Sequence, residues 1–124
     1  MIGIIGAMDE EVEQIVAVMD IEREETKAQM TFKAGKLAGK DVVIVRSGIG
    51  KVNAAVCTQI LVDDFGVDYV INTGIAGSLK NEINIADIVI SDDVLHHDMD
   101  ATGFGYAPVR FREWIRSHLR PMQN

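Results

Sequence analysis

MIGIIGAMDEEVEQIV, residues 1–16, decides the fold class of this 124-residue chain. Met1–Ile5 is an apolar run of the kind buried in a sheet, Gly6-Ala7-Met8 lets the chain turn sharply, and Asp9, Glu10 and Glu11 follow at once. Val12, Ile15, Val16 and Met19 then recur at helical spacing. The pattern is a strand, a tight turn and a helix with an acidic first turn. Carboxylates at that position complement the helix dipole and its unpaired N–H groups. A carboxylate at a strand end can also project into a cleft and move a proton there. The stretch alone leaves both roles open.

Outward from it, the same alternation repeats. Ile21–Leu37 is polar and patchy but contains Met30-Thr-Phe-Lys-Ala-Gly, which predicts an edge hairpin. Asp41–Arg46 (DVVIVR) is a β-branched, continuously apolar strand, and Asn53–Phe65 has helical periodicity that Gly66 stops. Val67–Ile71 and Ile85–Ser91 (IADIVIS) read as two further strands. Apolar strands alternating with helices predict a mostly parallel sheet with helices on its faces. No internal repeat or low-complexity linker interrupts the pattern. Three strands end in glycine-containing turns, Gly6-Ala-Met, Ser47-Gly-Ile-Gly and Thr73-Gly-Ile-Ala-Gly. In a parallel sheet these ends share one edge, where ligands bind.

Composition narrows the function. The length predicts one domain, and 48% hydrophobic with 25% charged residues is a globular balance. A net charge of −7 argues against nucleic acid and anionic membranes as partners. The single cysteine, Cys57, excludes a disulfide framework and a multi-cysteine metal site, and its apolar helical setting predicts a core residue in a reducing compartment. Met1 enters a strand with no basic region before it, so no signal peptide is expected. No apolar run reaches the roughly 18 residues of a membrane span. A cytoplasmic protein is expected.

Ser47-Gly-Ile-Gly-Lys-Val has neither the length nor the ending of a Walker motif, and it is no dinucleotide fingerprint. It offers backbone N–H groups at a helix start to an anion or polar ligand edge. It equally suits a turn that needs glycine for its dihedrals. Thr73-Gly-Ile-Ala-Gly is balanced in the same way between approach of a planar ligand and close packing. His96, His97, Asp98 and Asp100 do not form a credible metal set, because adjacent strand residues face opposite ways and nothing nearby completes the ligands. Phe104 and Tyr106, set among glycines, suit an interface or a pocket wall, with local core filling as the alternative.

Four segments in order, IGIIGAMDEEV (2–12), SGIGKVNAA (47–55), NTGIAGSL (72–79) and SDDV…HHDMDATGFGY (91–106), resemble the bacterial 5′-methylthioadenosine/S-adenosylhomocysteine nucleosidases of the nucleoside phosphorylase-like superfamily. The resemblance runs from Met1 to Tyr106 and covers about the first half of such an enzyme. It implies a three-layer α/β/α sandwich around a mixed, mostly parallel central sheet, and a homodimer. It also implies hydrolysis of the N-glycosidic bond of methylthioadenosine, adenosylhomocysteine or 5′-deoxyadenosine, releasing adenine, with no cofactor and no metal. One carboxyl group activates water and a second acid protonates the departing purine.

Carried over position by position, Glu11 matches the water-activating glutamate. Ala7 and Met8 match the ribose and water site, and Ile49 matches a wall of the alkylthio pocket. Ala76 and Gly77 match the backbone beneath the purine. Phe104 matches an aromatic lent to the neighbouring subunit, with Tyr106 nearby. Ile75 departs from the serine many members carry. The glutamate that holds the ribose hydroxyls, the purine-protonating acid and a base-stacking aromatic belong to the family's second half and have no counterpart here. Two alternatives are a superfamily phosphorylase, in which phosphate replaces water, and an inactive remnant that only binds or dimerises. The acidic Asp9-Glu10-Glu11 turn opposes phosphate.

Residues 107–124 break the pattern. Residues 1–106 carry 8 basic and 18 acidic residues, whereas the remainder holds Arg110, Arg112, Arg116 and Arg120 against Glu113 alone. Family members continue with a Gly-Gln-Ile-Pro-like segment. One back-translation of Pro108–Ile115 with a single added G reads Pro-Gly-Gln-Ile-Pro-Arg-Met-Asp. The expectation is a non-family tail over 107–124, out of frame from about Val109 and poorly packed, with Trp114, Ile115 and Leu119 as its apolar stripe.

Overall fold

The computed structural model describes residues 1–91, 94 and 96–106. Asp92, Asp93, Leu95 and the whole segment 107–124, with its Trp114 stripe and its four arginines, lie outside the described residues. The chain forms two compact units, Met1–Leu79 and Lys80–Asn124.

The first unit is a five-stranded sheet in the order β2-β3-β4-β1-β5. Its strands are β1 (Ile2–Gly6), β2 (Asp20–Lys27), β3 (Met30–Leu37), β4 (Lys40–Arg46) and β5 (Tyr69–Asn72). The helices α1 (Asp9–Ala17) and α2 (Lys51–Asp63) are the crossovers. β1 lies between β4 and β5 and pairs in parallel with both, Ile4 opposite Ile44 on one side and Ile71 on the other. The expected hairpin is β2–β3, and β3 continues antiparallel onto β4. The sheet is therefore mixed, its parallel part confined to β4, β1 and β5.

Strand alternation sends the apolar side chains to two faces. Ile4, Val42 and Ile44 meet Val12 and Met19 on the α1 side. Ile5, Val43 and Val45 join Phe32, Cys57, Leu61 and Phe65 on the α2 side. Helices thus cover opposite faces of one sheet, which gives the three layers. β4 is buried on both faces, and that explains why its sequence is an unbroken β-branched run rather than an alternating one. Apolar burial of this kind contributes roughly 25 cal/mol per Å².

α2 starts two residues before its sequence signal, and β5 begins at Tyr69 rather than Val67. Val67 instead donates its N–H to the Leu61 carbonyl at 3.3 Å, closing the end of the helix before the strand starts.

In the second unit Ile85–Ser91 does not form the expected strand. Ile85, Ile88 and Ile90 are almost fully exposed, and the segment takes part in no ladder among the described residues. β-propensity reflects packing on a pleated surface, and among the described residues none covers this segment. Thr102–Phe104 forms a 3-10 turn. No helix of the described residues is long and apolar enough to cross a membrane.

Candidate active site at the strand ends

Because β4, β1 and β5 run parallel, their carboxyl ends lie along one edge. Backbone hydrogen bonds tie the three turns there: Ser47 N–H donates to the Gly6 carbonyl and Thr73 N–H to the Ile5 carbonyl, both at 2.9 Å. The buried Ser47 hydroxyl reaches the Gly48 carbonyl at 2.9 Å. The predicted convergence of the glycine turns within this unit is what the chain builds.

Glu11 joins two of those turns. It is the third residue of α1, and its Oε2 accepts the N–H groups of Ala7 at 2.7 Å and Met8 at 3.1 Å. Met8 is the extended N-cap residue, so Glu11 supplies the reaching-back half of a capping box while the N-cap offers no side-chain hydrogen bond in return. Its Oε1 accepts the N–H of Ile75, in the turn after β5, at 3.2 Å. These backbone donors, Ile75 foremost and then Met8 and Ala7, hold the carboxyl below the usual glutamate range and outweigh the opposing effect of desolvation. The residue assigned to chemistry is thus also the one that caps. Of the other carboxylates in this turn, Asp9 pairs through Oδ1 with Arg46 Nε at 3.0 Å, at the end of β4.

The other predicted residues fall as follows. Ala7 and Met8 are half-buried against Glu11. Ile49 projects from the middle of Ser47-Gly-Ile-Gly, 74% exposed. Gly48 and Gly50 on either side have φ of +83° and +104°, so this turn does require glycine. Ala76 and Gly77 are exposed in the turn after β5. Phe104 belongs to the second unit, 87% exposed in its 3-10 turn. Asp100 accepts from both the Thr102 hydroxyl, at 2.6 Å, and its N–H, at 2.9 Å, which lowers its carboxyl and fixes the start of that turn. No group of three His, Cys, Asp or Glu is placed to hold a metal among the described residues.

Two features escaped the sequence reading. The Ile75 amide holds the Glu11 carboxylate, although its side chain is the one that departs from the family pattern. The Asp9–Arg46 pair borders a groove of about 440 Å³ between α1 and strands β3 and β4, which Glu11 does not line. The Glu11 contacts, not this groove, hold the strand-end turns together.

A family profile described as the Phosphorylase superfamily matches residues 1–121. A 5′-methylthioadenosine/S-adenosylhomocysteine nucleosidase of Marinomonas sp. (strain MWYL1) is 57% identical over 105 residues, which is 85% of this chain and 46% of that protein. The nucleosidase of Colwellia psychrerythraea 34H, solved in complex with adenine, superposes with a TM-score of 0.86 at 48% identity, over 90% of this chain and 46% of that one. The Streptococcus pneumoniae nucleosidase, solved with the transition-state inhibitor MT-ImmA, gives 0.84 at 44% identity, over 90% and 49%. The chain spans about half the length of the curated relatives it matches. Its parallel core, its converging glycine turns and the profile that runs almost end to end agree, and the chain belongs to the phosphorylase superfamily.

Proposed function

We propose that these residues form the water-activating half of a purine nucleoside N-glycosidase site, acting on 5′-methylthioadenosine and S-adenosylhomocysteine and releasing adenine. The observation that carries this reading is Glu11: an ionised carboxylate fixed by donors from two turns at the ligand-binding edge of the sheet. The nucleosidases named above, similar to this chain over 85–90% of its residues, supply the substrate class.

In the reaction the C1′–N9 bond breaks and its electron pair goes to the purine, which takes a proton from an acid. Water attacks the resulting oxocarbenium-like carbon. Glu11 accepts the proton that water sheds as the new C–O bond forms. A carboxylate of lowered basicity suffices, because water bonding to a cationic carbon becomes strongly acidic. Ala7 and Met8 border the ribose side, Ile49 the alkylthio group, and Ala76 and Gly77 the purine. Phe104 completes the pocket of a second copy in a homodimer, a role suited to an exposed aromatic. The lone buried cysteine suits a cytoplasmic location.

The phosphorylase alternative is disfavoured by charge. The described residues contain two arginines, of which Arg46 is paired with Asp9 and Arg23 lies 5.2 Å from the centre of the Phe65 ring. Neither is presented to a phosphate beside Glu11. The sequence supplies the base but no counterpart of the purine-protonating acid, so the 124 residues by themselves are expected to bind and not turn over. We keep 107–124 as a segment read out of frame from about Val109, although the family profile extends to residue 121; coding DNA with no neighbouring-frame extension resembling the family would end that idea.

The test is adenine release from methylthioadenosine by the 124-residue chain and by a form extended with the family's C-terminal half. The extended form turns over, and Glu11→Gln in it lowers the rate by about 10² to 10⁴ while leaving substrate-analogue binding intact. Robust turnover by the short chain, or near-normal turnover by the variant, refutes the reading.

A further inference from the structure

The carboxylate of Glu11 reaches the Ile75 N–H only because residue 74 has no side chain. A Cβ built on Gly74 would lie 2.5 Å from Glu11 Oε1 and 3.0 Å from its Cδ, closer than non-bonded atoms pack. We propose that Gly74 is a positioning residue for Glu11: its bare Cα lets the turn after β5 close on the carboxylate, so that the Ile75 N–H fixes Oε1 as the oxygen presented to the nucleophilic water. The last clause rests on the function proposed above, while the positioning itself does not.

The two oxygens are not equivalent. Oε2 already accepts two N–H groups, from Ala7 and Met8, which occupies both of its in-plane lone pairs. Oε1 accepts one, from Ile75, and keeps one lone pair open. The glycine stands beside that oxygen. Any side chain at 74 would fill the space next to the open lone pair and displace the carboxylate from the Ile75 amide. Glu11 would then be held by Ala7 and Met8 alone, and the side-chain link between the two turns would be lost.

Gly74→Ala is also a selective perturbation. What the new Cβ meets is the far end of a flexible side chain, which can swing aside, and not backbone or packed core. Nor does Gly74 adopt a positive φ that alanine would resist. The fold is expected to survive the change.

The experiment is ¹H–¹⁵N NMR of the 124-residue chain, which needs no turnover. At neutral pH the Ala7, Met8 and Ile75 amides carry the downfield signature of bonds to a charged acceptor. Glu11→Gln shifts all three. Gly74→Ala shifts Ile75 strongly upfield and leaves Ala7 and Met8 bonded. Gly103→Ala, whose added Cβ meets nothing within 4 Å, shifts none. On acidification the three amides titrate together in the native chain, with a midpoint below the ordinary 4.5 of glutamate. In Gly74→Ala the Ile75 amide ceases to report that titration, and the midpoint seen at Ala7 and Met8 rises. An Ile75 amide that still follows Glu11 in Gly74→Ala, or that never responds to Glu11→Gln, overturns the proposal. Loss of the Glu11 catalytic role in the extended enzyme would overturn only the assignment of the open lone pair to water.

Discussion

The Ile75 N–H and Glu11 Oε1 meet at 3.2 Å across 64 positions of sequence, so one carboxylate links the first helix to the turn after the fifth strand. Its lowered pKa ties stability to acidity. A glutamate held below 4.5 in the folded chain binds its proton more weakly there than when unfolded. Its stabilisation is complete above pH 4.5 and is lost as pH falls through the folded value. In urea titrations the native chain should exceed Glu11→Gln in stability at pH 6, because the new amide faces N–H donors with a donor of its own. That margin should shrink below pH 4.5. A margin independent of pH would show that the charge of Glu11 contributes nothing.

Phe32 is fully buried in the α2-side core and stacks on Phe65, ring centres 5.1 Å apart with planes 23° from parallel. Phe32→Ala should cost about 3–5 kcal/mol in urea unfolding, the range for a buried aromatic that leaves a cavity. This is a large part of the roughly 5–15 kcal/mol that holds a typical domain. A cost below about 1 kcal/mol would mean that this core collapses around the deletion.

Gly35 faces a backbone obstacle. An added Cβ would lie 2.0 Å from the Asp20 carbonyl oxygen, beside the register shift between Ile21 and Arg23 where β2 bends against β3. Gly35→Ala should destabilise the chain by about 1–3 kcal/mol through overpacking, read from the urea midpoint, with the Glu11 amide contacts unchanged. An unchanged midpoint would show that the β2 edge yields freely.

The Cys57 thiol is completely enclosed, and burial pushes its pKa up to about 11 from 9.0. Thiol reagents at pH 8 should label the folded chain only as fast as it opens, and the unfolded chain at once. The raised value also predicts a loss of stability as pH climbs from 9 to 11, because the unfolded thiol ionises first. Rapid labelling under native conditions would contradict this packing.

The parts of the fold that sequence revealed are those in which local pattern and burial coincide. DVVIVR is buried on both faces and reads so, and the spacing of Val12, Ile15 and Val16 marks the inner face of α1. Convergence of the glycine turns followed from parallel pairing alone. Ile85–Ser91 misled because an apolar β-branched run specifies a strand only when a neighbour offers a ladder. The Ile75 amide was invisible for another reason: every residue has an N–H, and only tertiary placement selects the one that matters. Asp9 and Glu11 looked alike in sequence, and they parted because helical rotation aims one at Arg46 and the other back over its own N-terminus.

The place of β1 between the fourth and fifth strands also sets a timetable. Both of those partners follow it in sequence, so β1 must wait until Asn72 has been made before both ladders can close. At roughly 5–20 residues per second the delay is on the order of 4 to 14 s. The β2–β3–β4 meander can pair meanwhile, since its contacts are local. Ala7 and Met8 are available to Glu11 from the outset, whereas Ile75 emerges after every strand of the sheet. Translation therefore assembles the carboxylate's grip last, and a nascent chain halted before residue 75 would carry Glu11 with one of its oxygens still unclaimed.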